Sequence, residues 1–214
     1  TDIGLTNGIT YYYIVAATGA GGTGPASAET FAIPGTIPSG PGDLLWTGTA
    51  GSAWDTGSVN WLISGTPARY ADASDVTFAD SASSTTVSIN GTVLPASVTF
   101  DNSITSYTLG GGLISGSTSM VKRGSGALTI NNVNSYTGDT IVSSGTLALG
   151  ATGGTGASIG SGTIRLGQGA EFRMASNGDN FPANSIHVTD GSSARLSSAS
   201  ATNGYGGAIS GAMN

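Results

Sequence analysis

Gly126-Ala127-Leu128-Thr129-Ile130, Gly145-Thr146-Leu147-Ala148-Leu149 and Gly162-Thr163-Ile164-Arg165-Leu166 carry one short text: a glycine, a small residue, then Leu or Ile at alternate positions. The opening glycines are spaced by roughly 20 residues, the length of one unit in a stacked repeat architecture. Two apolar residues separated by one position share a face of a strand. A glycine before them supplies a corner where positive φ is needed. No helical period runs through the stretch. A unit of this length cannot bury its own apolar face, so successive units must stack, each forming one coil of a solenoid. The text therefore predicts one continuous core containing Leu128, Ile130, Leu147, Leu149, Ile164 and Leu166. Coils would be hydrogen-bonded to one another at roughly 4.8 Å.

Working outward, Val76/Phe78, Val87/Ile89, Val98/Phe100, Phe172/Met174 and Ile186/Val188 repeat the alternation less strictly. Ile114-Ser115-Gly116 is echoed by Ile209-Ser210-Gly211. A β-sandwich also uses short strands and turns, but near-identical strands at near-constant spacing favour the solenoid. The expected organisation is a β-solenoid over 43–214, clearest at 124–150, after a Pro/Gly linker at 35–42 and a different segment at 1–34.

The stretch Gly124 to Gly150, with Asn134-Ser135-Tyr136-Thr137-Gly138-Asp139-Thr140 between its two Leu/Ile strands, resembles the autotransporter-associated β-strand repeat, also called the passenger-associated transport repeat. Members read close to G-x-G-x-L-T-L, N-x-Y-T-G-x-T and V-x-x-G-T-L. Trp46-Thr47-Gly48, Trp54-Asp55, Asn60-Trp61, Val76-Thr77-Phe78 and Val98-Thr99-Phe100 resemble the segment that often precedes such repeats. The resemblance implies a right-handed parallel β-helix displayed outside a bacterial cell, as a secreted or surface protein.

Residues 1–34 read otherwise. Leu5-x-x-Gly8-x-x-Tyr11-x-Tyr13-x-Val15-x-Ala17, followed by a Gly-rich turn at Gly19–Pro25, resembles the last two strands of a fibronectin type III domain. That resemblance implies a tyrosine corner, with the Tyr11 hydroxyl bonding back to upstream backbone. The expected strands are Thr10–Ala17 and Ala26–Ile33. Two strands alone are marginal in water, so this partial β-sandwich is expected to need further chain or a neighbouring subunit. The sequence reads as part of a longer protein.

Composition narrows the function. The 214 residues hold 36 Gly, 38 % hydrophobic residues and only 8 % charged ones, with net charge −6. Ser, Thr and Asn provide the polarity. Lys122-Arg123 is the one adjacent basic pair, far from a nucleic-acid footprint. Cysteine is absent, so neither disulfides nor thiolate metal sites arise. No apolar run approaches the ~20 residues of a membrane helix.

Candidate chemistry is sparse. The lone histidine, His187, alternates with Ile186 and Val188 and is read as a surface residue. Asp72, Asp75 and Asp80 are read as a solvated acidic loop, with calcium as the alternative. Glu29, Glu171, Asp139 and Asp179 stand in separate segments, without the paired carboxylates of a glycosidase. No catalytic residue, cofactor or metal is therefore assigned. Trp46, Trp54, Trp61, Tyr70 and Phe78 form the aromatic concentration. They are read as a cap over the first coil, while exposed tryptophans would instead stack on glycans. The expected function is a non-enzymatic stalk or filament segment that self-associates or continues into further chain. The alternative is an adhesin that binds surface glycans.

Overall fold

The computed structural model describes residues 3–150, 157–174, 184–198 and 208–211. Two compact units emerge, Thr1–Ile37 and Pro38–Asn214.

In the first unit, strands β1 (Tyr11–Tyr13) and β4 (Thr30–Ala32) pair antiparallel, and β2 (Thr18–Gly19) and β3 (Gly22–Thr23) close the hairpin between them. Both strands are shorter than the sequence pattern predicts. Beyond β1 the arms stay linked only at points, where Ser27 N–H donates to Val15 O and Gly24 N–H to Ala17 O. Tyr12 and Phe31 are register partners and are each 64 % exposed. This unit has no buried core among its described residues.

The second unit begins with β5 (Asp43–Trp46), β6 (Ala53–Trp54), β7 (Trp61–Ile63) and β8 (Thr66–Ala68). The chain then winds through β9 (Asp75–Ala79), β10 (Thr86–Val93), β11 (Ser97–Asp101), β12 (Tyr107–Ile114), β13 (Ser119–Arg123) and β14 (Ala127–Ile130). It continues through β15 (Thr140–Val142), β16 (Thr146–Leu149), β17 (Ile164–Leu166), β18 (Glu171–Met174), β19 (Ile186–Val188), β20 (Arg195–Ser198) and β21 (Ile209–Ser210). From β9 onward, odd-numbered strands join a ten-stranded sheet and even-numbered strands a seven-stranded one. Every pairing among them is parallel. This is a β-solenoid of two facing sheets.

Register fixes the coil length. Val76, Val98, Met120, Thr140, Ile164, Ile186 and Ile209 succeed one another in one column. One coil thus takes about 20–24 residues, at the short end of solenoid repeats. The shortest coil runs from Met120 to Thr140 and the longest from Thr140 to Ile164. The coil length agrees with the roughly 20 residues read from the repeated text, but the third copy of that text does not stack on the first two. Leu128 stacks on Leu147, as its sequence suggests, but the next residue in that column is Phe172. Ile164 and Leu166 lie in the opposite sheet, on Thr140 and Val142. Alternation cannot tell one sheet from the other, because both present Leu or Ile to the same interior. All six residues are nonetheless at most 3 % exposed and share one hydrophobic cluster. Each side chain so buried contributes about 1.5–3 kcal/mol.

At the opening end, β7 runs antiparallel to both β5 and β8, while β5 pairs parallel with β9. Trp46 and Trp61 face each other across β5 and β7, with ring centroids 5.0 Å apart. Trp54, Tyr70 and Phe78 complete the plug, and Phe78 stacks on Phe100 at 4.4 Å and 9°. The outermost strand, β8, holds Pro67 at its centre. Proline is tolerated there because an edge strand has a side that need not donate to a ladder.

Candidate functional site

The three tryptophans do not form a sugar platform. Trp46, Trp54 and Trp61 are 0, 0 and 1 % exposed, and their faces are used by one another and by Tyr70 and Phe78. Apolar burial wins because an uncovered first coil would leave Phe78 and Val76 wet. The Trp46 indole N–H donates to Ser84 O at 2.7 Å, so even its polar edge turns inward.

The three acids do not converge. Each reaches from its own coil to the next. Asp80 accepts the backbone N–H groups of Ser103, Ile104 and Thr105, and the Thr105 hydroxyl besides. Those donors, Thr105 first and Ser103 next, hold its carboxyl far below the usual carboxylate range. Asp72 accepts Leu94 N–H at 2.8 Å and the Tyr70 hydroxyl at 2.9 Å. Burial, with Asp72 adding to it, drives the Tyr70 hydroxyl far above the ordinary tyrosine range. Asp75 accepts the Ser97 hydroxyl. Asp43 and Asp75 are register neighbours and, with Leu44, Leu45 and Thr77, line an open recess of about 320 Å³. Among the described residues no group of three or more His, Asp or Glu is placed to hold a metal ion.

The remaining candidates are spread along the stack. His187 lies over Arg165 in register and its Nδ1 is 3.2 Å from Ser210 Oγ. Asp139 pairs with Arg165 at 2.7 Å, and this bond chiefly lowers its pKa. Glu171 accepts the hydroxyls of Ser197 and Thr146. Glu29 is exposed in the first unit. Asp179 lies outside the described residues. Within the solenoid these side chains act as ties from coil to coil, at separate heights along the stack.

The arrangement that sequence reasoning passed over surrounds Lys122. In the inward column Phe78 is followed by Phe100, then Lys122, then Val142. The chain's sole lysine therefore sits inside, with 0 % exposure. Its Nζ donates to Arg123 O at 2.7 Å and Gly124 O at 2.8 Å, with Asn102 O at 3.5 Å. Burial lowers its pKa from 10.5 to about 8, against the opposing pull of Asp101 and Asp80. It keeps its proton at neutral pH. The signal was present: the step that carries Phe78 to Phe100, taken once more, lands on Lys122.

Asparagines work in the same way. Asn132 and Asn134 exchange side-chain bonds at 3.1 and 3.2 Å, while Asn134 Oδ1 accepts Ile114 N–H and its Nδ2 donates to Ser158 O. Two positions on, the Tyr136 hydroxyl meets Thr140 Oγ1 at 2.7 Å, both side chains buried. Gly138 lies so close to Thr118 O that a Cβ would stand 2.4 Å from it. The stretch from Asn134 to Thr140 is thus a corner whose buried polar atoms are consumed internally, and at Gly138 the neighbouring coil forbids a larger residue.

Residues 120–149 match the passenger-associated-transport-repeat family. The match opens in β13, two residues before Lys122, and closes with β16. The passenger-associated repeat therefore contains Lys122, the Asn132–Asn134 pair and the Tyr136–Thr140 corner. No curated protein and no solved structure matches the chain. The repeat and the solenoid fold fit a structural segment of a secreted or surface-displayed autotransporter passenger, a repeat family and fold that are typically non-catalytic.

Proposed function

We propose that this chain is a non-enzymatic structural segment of a secreted or surface protein, a stalk or filament section whose work is mechanical. The carrying observation is the use of side-chain polarity along the stack. Asp72, Asp75, Asp80, Asp139 and Glu171 each bind a group in the following coil. Such ties resist separation of coils and leave the carboxylates committed. The right-handed sense is taken from the strong preference of parallel crossovers for that hand.

The first unit carries the fibronectin type III reading and the proposal of self-association. Support for the former is the Thr6 N–H, which donates to the Tyr11 hydroxyl at 2.9 Å, a bond to upstream backbone such as a tyrosine corner makes. Support for the latter is the exposure of Tyr12, Ile14, Val15, Phe31 and Ile33 together. Electron microscopy of native cell-surface material, labelled with an antibody to this chain, tests the reading. Extended stalks or fibres are expected. Label confined to the cell interior, or glycan cleavage by the purified chain that His187→Ala abolishes, would overturn it.

A further inference from the structure

Glycine stands at the corners around Lys122 because nothing larger fits. A Cβ on Gly124 would stand 2.3 Å from Asn102 O, and one on Gly145 would stand 2.3 Å from Gly124 O and 2.6 Å from Gly126 O. Both glycines have positive φ, 78° and 71°. Main-chain carbonyls of successive coils are thereby turned into a column that runs along the stack, each oxygen lying under the glycine of the next coil. The Lys122 ammonium sits beside that column, 3.1 Å from the Gly145 Cβ position.

We propose that this corner is a monovalent-cation site built from main-chain carbonyls, which the chain fills with its own tethered ammonium. Carbonyl oxygens that converge without a carboxylate select a weakly hydrated single charge, as rings of backbone carbonyls do for potassium. The contacts of 2.7 and 2.8 Å suit an ammonium or potassium ion. They exceed the roughly 2.3–2.6 Å of calcium–oxygen contacts. The ligands come from the coil of Asn102 and the coil of Lys122, and the coil of Gly145 closes over them. The cation binds carbonyls of the first two coils and lies beneath the third.

Because Lys122 is the sole lysine, the test is clean. Lys122→Ala removes the ammonium and the three methylenes beyond Cβ, a space that n-propylammonium matches atom for atom. Thermal unfolding of the 214-residue variant chain is followed by circular dichroism in equal concentrations of sodium, ammonium, n-propylammonium and tetramethylammonium chloride. The midpoint is expected to rise by about 5 °C or more in n-propylammonium over sodium, less in ammonium, and not at all in tetramethylammonium, with wild type indifferent. If the variant does not fold in sodium, its refolding yield in n-propylammonium is read instead. An equal response to every salt, or none, overturns the proposal. In wild type labelled with nitrogen-15 lysine, the single side-chain signal should be an ammonium in slow exchange with water. A rapidly exchanging, freely solvated amine would overturn the site equally.

Discussion

Replacing Lys122 with methionine should change how stability depends on pH. Folding lowers the amine from 10.5 to about 8. Between those values the unfolded chain holds a proton that the folded chain has released, so wild-type stability rises with pH across that window. Integrating from about pH 7 to about pH 9.5 gives a gain of about 2 kcal/mol for this one group. Tyr107 and Tyr136, both pushed up to about 12 by burial, act in the opposite direction, but only above the ordinary tyrosine value near 10. The window below that value therefore belongs to Lys122. Urea unfolding followed by the fluorescence of the buried tryptophans should show the difference between wild type and Lys122→Met growing steadily with pH. Parallel profiles for the two proteins would refute the reasoning, because they would mean the amine is solvated in the folded state.

Leu147→Asp should prevent stable folding, since it places a carboxylate between Leu128 and Phe172 with no donor to meet it. Ser143→Asp, on an exposed position, should cost under about 0.5 kcal/mol by the same denaturation measurement. Gly112→Ala should be far more damaging than Gly91→Ala, because its Cβ would lie 1.8 Å from Gly91 O, whereas the Gly91 position is open and bears only the strain of its φ of 82°. The latter cost is about 1–2 kcal/mol. Asp80→Asn should blunt acid denaturation: the depressed carboxyl of Asp80 gives stability above the ordinary Asp range that is lost as pH falls through its folded value. A circular dichroism titration through and below the ordinary Asp range, near pH 3.8, reads this directly.

The solenoid was legible because its two demands, alternation and corner glycines, are written locally. Leu128, Ile130, Leu147 and Leu149 announce both a strand and its stacking partner. What alternation lacks is a label for the sheet. Ile164 and Leu166 resemble Leu147 and Leu149 in text yet stack on Thr140 and Val142, and only counting by whole coils separates the two assignments. Lys122 was hidden for a related reason: beside Arg123 it reads as a charged surface pair, while register places it inward and Arg123 near Asp101 at the surface. The aromatic plug was readable as a cap, since five large rings before a repetitive core have an obvious end to cover. The breadth of the first unit's strands was not. Continuous alternation from Thr10 to Ala17 yields only three paired residues when a single partner strand is present.

Pro67 gives the stack a polarity. It sits in the middle of β8, which is three residues long and forms one border of the ten-stranded sheet. A strand arriving there meets a border without its central amide donor. Among the described residues the other outermost strand of the sheet, β21, holds Ile209 and Ser210 and no proline. A single imino acid thus closes the aromatic-plug border of this sheet to strand pairing, and the stack can be lengthened by main-chain pairing only away from that end.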